Sequence, residues 1–575
     1  MPSLSSRRAA PTRWLSAILL LHGALLASSI DPRSEPWLRP IRNVDYTSHF
    51  YSANHFATHV RNNLAFWGYD PFWMAGYPEG FVGIVDNKAL AAVTSLAPRG
   101  FEAAVFNAAV LLSLLSAPWI LHLAVRASGG SAAAASGAAL AATALTFGAP
   151  ITVLFWIGGG ISFFLSSALA VPAVLGLSAA IDQGSLASRV GITWVVVAMI
   201  TVFIHPFAIL PLAAGLALTP FSSRRPGWRA LAESGLVLGL AALPLVPVAT
   251  TVVANLAQTR VLDGRGEFLR GGPVQLFRDF GTHLLRTDDH SFSGAGTLAA
   301  VLLFAAFGLG SVPAAARRAI LSVMALAAFL AYFATPLSER VVALQPHRFL
   351  VVLGFFAAVP AGWGIARTAA RMRERRPAAW LLASLSLVIA LEATWTLARV
   401  RLLASGADHA EDAIAGFLAA EAPDDGRALV ESSLTYIPAA AGSADEVLVI
   451  RFALLPLGAD REFLGNSRTG PFTAERYAAF GDGRILGRRV QTLSATELRD
   501  LLDRYAVSTV VGCTPASRAA LDRFPEIVEP RAELADCRGY RVANPKTSRL
   551  LEGEGDVRAD FDRITVRQAS GERLV

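Results

Sequence analysis

Residues 102–124 read EAAVFNAAVLLSLLSAPWILHLA, with one acid at the outset, one histidine near the end and no other ionisable side chain. A helix of that length rises about 34 Å at 1.5 Å per residue, enough to cross a hydrocarbon layer of about 30 Å. The run is predicted to span a membrane, and it is not alone. Comparable apolar runs lie at Trp14–Ile30 and near 133–149, 160–181, 190–204, 206–221, 231–254, 296–312, 319–335, 347–366 and 379–398, which predicts about eleven spans. The two runs on either side of His205-Pro206 are the shortest reading of a span. Composition agrees: of 575 residues 53% are hydrophobic and 17% charged, against about 25% charged in soluble domains. Mean hydropathy is +0.46. So few charges cannot cover a water-soluble surface.

The formal charge of +7 is informative only by location. Nearly all basic residues are arginine, which gives the high pI without arguing for nucleic acid, and none is expected as a partner. Two cysteines exclude a disulfide scaffold. Loops after the even-numbered spans hold Arg126, then Arg189, then Arg224, Arg225 and Arg229, then Arg317 and Arg318, then Arg367, Arg371, Arg373, Arg375 and Arg376. With Arg7, Arg8 and Arg13 they fall on one side of the bilayer, so the N-terminus is expected inside and the C-terminal tail outside. Trp14–Ile30 reads as an uncleaved first span; Ala27-Ser28-Ser29 also fits a signal-peptide cleavage site, and the anchor is preferred because the topology works with it retained.

Three stretches are expected outside the membrane on the far face: about 31–100, about 256–295 and everything after about 400. The last alternates short β-rich runs (Ala428–Glu431, Val447–Phe452, Val507–Gly512) with an amphipathic helix at Ala495–Tyr505, on which Leu498, Leu501 and Leu502 share a face. Ser494 and Glu497 make a capping box for that helix. A small α/β domain is predicted. Cys513 and Cys537 both lie in it, on the oxidising side, where a disulfide or two buried thiols would serve.

The first outside stretch carries the densest chemistry: Asn43-Val44-Asp45-Tyr46-Thr47-Ser48-His49-Phe50, and then Asn62 through Gly80 with Gly68-Tyr69-Asp70-Pro71-Phe72-Trp73 and Gly76-Tyr77-Pro78-Glu79. If 44–60 is helical, Asp45 and His49 lie one turn apart, with Ser52 and His59 near the same stripe. Asp45 and His59 would be about 21 Å apart along the axis and could not share a ligand. A carboxylate one turn from an imidazole at a membrane mouth can act as a base or hold a divalent cation, with Asp45 the candidate ligand. A wet interfacial helix would show the same pattern. The aromatic run that follows suits an interfacial belt, but its Gly and Pro density predicts a fixed loop. Arg348, at the outer end of a span, presents a planar fork suited to phosphate, or else snorkels to headgroups. His205-Pro206 reads as a helix break. The 256–295 loop, with Asp288-Asp289-His290, reads as a solvated mixed-charge loop, and Gly158-Gly159-Gly160 lacks the Lys-Ser/Thr of a phosphate loop.

A long outside loop that opens with an acid and runs into Gly68-Tyr69-Asp70-Pro71-Phe72-Trp73 and Gly76-Tyr77-Pro78 resembles the GT-C superfamily of membrane glycosyltransferases. More narrowly it resembles a bacterial membrane-protein family labelled "6-pyruvoyl-tetrahydropterin synthase-related", as does Leu344-Gln345-Pro346-His347-Arg348-Phe349-Leu350. The resemblance implies a polyprenyl-phosphate-linked sugar donor, with Asp45 in the place of the superfamily's first-loop acid. The chain departs from the pattern near Gly148–Gly160, where many members carry a second acid and this chain has none.

The expected architecture is a polytopic α-helical membrane protein of GT-C type: a first span at 1–30, a periplasmic loop at 31–100 bearing the catalytic acid, further spans over 101–399 with the periplasmic loop 256–295, and a periplasmic α/β domain at 400–575. The expected activity is glycosyl transfer from a polyprenyl-phosphate donor to a periplasmic glycan or glycolipid acceptor at a bacterial inner membrane. Asp45 is the expected base with His49 in support; Arg348, His347 and His205 hold the donor phosphate; Trp73, Tyr77 and Glu79 support the acceptor or the loop. Two rivals use other chemistry. A lipid-linked sugar transporter or flippase calls for ionisable residues at membrane depth, where Glu233 and Glu392 are the nearest cases. A non-catalytic assembly protein for surface polysaccharide would need no second acid.

Overall fold

The computed structural model describes residues 4–30, 35, 37–42, 45–64, 67–70, 72, 77–80, 87–222, 227–246, 295–332, 348–372, 384, 389–391, 393–394, 402, 409–421, 426–431, 434–438, 446–450, 454–459, 461–464, 480–481, 484–485, 488–546, 554–560 and 563–570. Helices α1 (Leu4–Ser28), α2 (Tyr46–Asn63), α3 (Lys88–Ser95), α4 (Glu102–Ala127), α5 (Ala132–Gly148), α6 (Pro150–Ile157), α7 (Ile161–Gln183) and α8 (Arg189–Ile204) follow in order. Their ends obey local chemistry. Ser131 and Ser188 cap α5 and α8 by accepting the N–H groups of Ala134 and Gly191, and Gly184 closes α7 in the left-handed region at φ 65°.

The expected count of about eleven spans is corrected. Among the described residues five helices are long and apolar enough to cross a membrane: Glu102–Ala127, Ile161–Gln183, Gly227–Leu245, Ala314–Ala331 and Phe349–Arg371. A sixth results if α5 and Ile151–Ile157, bent by 76° at their junction, count as one broken span. The reason is length. Trp14–Ser28, Arg189–Ile204, Pro206–Phe221 and Gly296–Leu309 are apolar helices of 10–17 residues, which reach at most about 26 Å. His205 leaves the helical region at φ −151°, ψ 125° and Pro206 starts a new turn, so the two runs there cannot fuse. The run 379–398 lies mostly outside the described residues, as does 256–294.

The helix Phe349–Met372 is central, with Phe355, Phe356 and Val359 fully buried. Its glycines set how closely the neighbours approach. A Cβ on Gly137 of α5 would stand 2.7 Å from the carbonyl oxygen of Gly362, and one on Gly364 would strike the carbonyl of Phe304. Backbone contact of this kind is how helices associate when lipid removes the hydrophobic drive. His22 ties α1 to the bundle: its Nε2–H donates to the Leu114 carbonyl at 3.1 Å, and Nδ1 accepts from the Thr143 hydroxyl at 3.2 Å. The helix Gly227–Ala242 stands at the rim and leaves Trp228, Leu231 and Leu236 uncovered.

The C-terminal domain is mixed α/β. Its five-stranded sheet runs in the order Val528–Leu534, Cys537–Val542, Val507–Gly512, Arg427–Val430 and Phe463–Leu464; the pairs among the first three are antiparallel and the other two parallel. Val507–Gly512 is buried along its whole length, as a central strand must be. The expected helix is present as Ala495–Arg504 with its Ser494/Glu497 capping box, burying Leu498 and Leu502. The period of the strands divides the packing. Leu429 and Val510 join the core beneath that helix, whereas Ala428, Val430 and Val511 join the core that includes the membrane helices. Glu431 is fully buried at the start of the helix Pro515–Leu521, where its carboxylate accepts the N–H groups of Cys513 and Thr514 at 2.7 and 2.8 Å and the hydroxyls of Thr514 and Ser517.

Among the described residues the domain touches the start of the chain at three places. The Leu402 N–H donates to the Ser29 carbonyl at 2.9 Å, and the Phe463 N–H to the Phe72 carbonyl at 2.7 Å. Arg42 pairs with Asp412 at 3.2 Å and with Glu411 at 3.8 Å. Cys513 and Cys537, 24 positions apart, are joined by a disulfide between adjacent strands. Closing a loop of that size stabilises by about 3 kcal/mol. Changing both cysteines to Ala is therefore expected to lower the denaturant concentration at which the amides of Val507–Gly512 lose exchange protection. An unchanged profile would show that the sheet does not depend on the crosslink.

Candidate functional site

Helix α2 carries the acid. Asp45 is its N-cap residue, half-buried, and its carboxylate makes no capping bond to the helix, so the position is not explained by helix termination. A negative charge there is favoured by the helix dipole. The Asp45 N–H donates to the carbonyl of Gly158 at 3.1 Å. Gly159 sits at φ +97°, and a Cβ on it would stand 2.7 Å from the Asp45 Cβ. The glycine run is thus a seat for the acid, in keeping with its lack of a nucleotide motif. One residue on, the Tyr46 hydroxyl donates to the Trp156 carbonyl. Its phenol stays protonated because burial, and then the neighbouring Asp45 charge, push it above the usual tyrosine range. Trp156 is fixed in turn by its Nε1–H, which donates to the Thr146 carbonyl at 2.8 Å across the α5–α6 bend. Irregular backbone at such a bend is tolerated where protein covers it.

Arg348 approaches the same turn from another side. Its guanidinium carbon lies 5.6 Å from the centroid of the Phe155 ring, within range of a cation–π contact. Phe155 precedes Gly158 by three residues, and its carbonyl accepts the Gly160 N–H at 2.7 Å. The turn 155–160 therefore holds Asp45 at its glycines and Arg348 over its phenylalanine. His205 enters through the adjoining rings: Phe163 lies 5.0 Å from it, 5.7 Å from Phe155 and 6.0 Å from Phe349. The His205 Nδ1 accepts the Phe207 N–H at 3.2 Å, so in the neutral ring the proton sits on Nε2, which can donate.

The remaining expected residues divide. His49 is buried one turn beyond Asp45, and its Nδ1 has no hydrogen-bond partner among the described residues; its carbonyl accepts from the Asn87 side chain at 3.2 Å. His347 and Trp73 lie outside the described residues. Tyr77 and Glu79 stand in a strand, Tyr77–Gly80, paired with Trp67–Asp70 so that Asp70 faces Tyr77 and Gly68 faces Glu79. Among the described residues no group of three or more His, Cys, Asp and Glu could hold a metal ion. Asp45 and His49 supply two donors where a hard divalent cation takes six or more oxygens.

Sequence reasoning passed over Asp70, which is fully buried. It accepts the Tyr51 hydroxyl at 2.9 Å and the Phe72 N–H at 2.8 Å, with His55 Nδ1 at 4.0 Å. The bond to the N–H two residues on is an Asx turn, and Asp-Pro within a glycine-rich loop is its signature. Farther along α2, His59 packs so closely over Gly68 that a Cβ there would strike its ring.

No family model matches the chain, and no curated protein does. Solved structures of the oligosaccharyltransferase of Archaeoglobus fulgidus are similar in fold. The apo form gives a TM-score of 0.54 at 12% identity, over 87% of this chain and 69% of that one. The form tethered to an acceptor peptide containing the NVT sequon gives 0.53 at 13%, over 97% and 74%. The complex with an inhibitory peptide and a dolichol-phosphate gives 0.51 at 14%, over 87% and 69%. At these identities the likeness is one of fold: a polytopic α-helical membrane protein with a C-terminal mixed α/β domain.

The seat of the acid can be tested by two alanines. Gly129 also has positive φ, at +82°, but nothing within 4 Å of a Cβ, so Gly129→Ala carries only the left-handed backbone cost of about 1–2 kcal/mol. Gly159→Ala adds the clash with Asp45 and is expected to lower thermal stability further and to raise amide exchange at the start of α2. Equal effects of the two substitutions would dismiss the seat.

Proposed function

We propose that this chain is a membrane glycosyltransferase that moves a sugar from a polyprenyl-phosphate donor to an extracytoplasmic glycan or glycolipid. The observation that carries the reading is the turn 155–160, which holds the backbone of Asp45 at Gly158 and has the guanidinium of Arg348 over Phe155. The GT-C fold supports it, as does the dolichol-phosphate held by the similar archaeal enzyme. Asp45 accepts the proton of the acceptor hydroxyl as that oxygen bonds to the anomeric carbon. The bond from that carbon to the phosphate oxygen breaks, and the polyprenyl phosphate leaves with the electron pair. Arg348 and the Nε2–H of His205 steady the phosphate charge, with His347 beside Arg348; the phosphate is a good leaving group and needs no further activation. His49 supports Asp45 from one turn away, and Trp73, Tyr77 and Glu79 border the acceptor side.

The placement in a bacterial inner membrane, N-terminus inside and C-terminal domain in the periplasm, rests on the arginine-bearing loops and on the disulfide, which suits an oxidising compartment. The narrower placement in the "6-pyruvoyl-tetrahydropterin synthase-related" family rests on the two short resemblances alone. The transporter reading rests on Glu233, which lies within the candidate span Gly227–Leu245, and on Glu392, which is outside the described residues; the buried His22 is instead fixed by two hydrogen bonds as a joint between helices. A non-catalytic assembly role is favoured by one observation. The bend near the glycines offers no second acid, and Asp70 is committed to Tyr51 and Phe72.

Purified protein in lipid, given a panel of polyprenyl-phosphate sugars and membrane-glycan acceptors, decides between these. Asp45→Asn is expected to cut turnover by about 10²–10⁴-fold, the usual contribution of a general base. Arg348→Ala is expected to weaken donor binding by about tenfold to a hundredfold, the loss of hydrogen bonds to a charged group. Near-normal turnover in Asp45→Asn would remove its assigned role. Donor binding without turnover in folded wild-type protein would favour the assembly reading.

A further inference from the structure

We propose that Arg42 is a positioning residue of the transfer site, through which the C-terminal domain holds Asp45 in place. This rests on the reading of Asp45 as the base. Arg42 lies three residues before Asp45, and its Nη1 stands 3.2 Å from Asp412 Oδ1 and 3.8 Å from Glu411 Oε2. Both acids are in the first turn of the helix His409–Glu421.

The contact with Asp412, whose side chain is 49% exposed, is an ordinary surface ion pair that contributes little, but the contact with Glu411 is not. The Glu411 side chain is 6% exposed, and its other oxygen accepts the Leu454 N–H at 3.0 Å. Leu454 belongs to the same core as Ile414, Phe417 and the membrane helices. Arg42 is therefore tied to a part of the domain that packs into the core shared with the membrane helices, and removing it would take a cation from beside a buried carboxylate.

The same domain grips the other end of the acid-bearing segment. Phe463, fully buried in the edge strand of the sheet, donates its N–H to the Phe72 carbonyl at 2.7 Å. Phe72 N–H is held by Asp70, and Asp70 by Tyr51 of α2. From Arg42 to Phe72 the chain is thus fastened at both ends to residues beyond 400, with Asp45 just inside the first fastening. At the acid itself the Asp45 N–H is tied to the Gly158 carbonyl, while its carbonyl accepts the His49 N–H and the Ser48 hydroxyl within α2. A base must sit within hydrogen-bond reach of the proton it takes, and a displacement of about 1 Å can cost about 10²-fold in rate.

The test uses the full chain in nanodiscs, with Arg42→Ala and Arg42→Lys. Two readouts are followed: hydrogen exchange of the Tyr46–Asn63 amides, and kcat and KM for the donor found active in the wild type. Arg42→Ala should speed exchange in the first turns of α2 and lower kcat at least tenfold with KM within about threefold. Arg42→Lys, which keeps a cation for Asp412, should restore both. Unchanged exchange in Arg42→Ala would overturn the proposal, as would a rise in KM with kcat intact, which would make Arg42 a substrate ligand. Failure of the lysine to rescue would also overturn it. A wild type that transfers no sugar would defeat the assignment of Asp45 instead, and the exchange comparison would then decide alone whether the fastening exists.

Discussion

The bond from the Asp45 N–H to the Gly158 carbonyl is the constraint on which the rest of the site depends. It joins α2 to the glycine turn between α6 and α7. It can form only because Gly159 has no side chain to fill the space that Asp45 occupies. Everything nearby follows from that contact. Tyr46 is brought to the Trp156 carbonyl, Trp156 is held by Thr146, and the bend at α5–α6 acquires partners for backbone groups that a continuous helix would have satisfied itself.

The surroundings make the few charges effective. Phe155, Phe163 and Phe349 are buried around the approach of Arg348 and His205. Away from water each hydrogen bond and charge contact is stronger, and each unpaired one is costlier. The arrangement is economical in ionisable groups for that reason. Asp70 illustrates the other use of a carboxylate: fully buried and bonded to a hydroxyl and an amide, it shapes a loop.

Much of this was legible in the residues, for reasons that differ by element. The membrane helices announce themselves through long apolar runs, and the Ser494–Glu497 box needs only four residues to declare a helix start. Span number was not legible. Apolar composition marks what avoids water, whereas crossing also requires uninterrupted length, and the breaks after Ile204 and Gly148 depend on backbone geometry at His205 and the α5–α6 junction. Asp45 stood out as an acid at a helix start. Its seat did not, because a triple glycine looks alike whether it binds phosphate, ends a helix or admits a neighbour's backbone. Asp70 was in plain view within an aromatic motif, but its burial arises from Tyr51, nineteen residues earlier, a pairing that no local pattern encodes.

The two-sided strand Arg427–Val430 has a consequence for how the molecule is made. Ala428 and Val430 pack into the core shared with the membrane helices, and Leu429 into the other, so neither half of the protein finishes its interior by itself. The partners of Phe72 and Ser29 are also supplied by the late part of the chain, Phe463 and Leu402. Roughly 390 residues separate Phe72 from Phe463, and at about 5–20 residues per second the ribosome needs on the order of half a minute to deliver them. Through that interval the segment bearing the acid lacks these two partners. The fastening of Phe72 can therefore be completed only after Phe463 has been made.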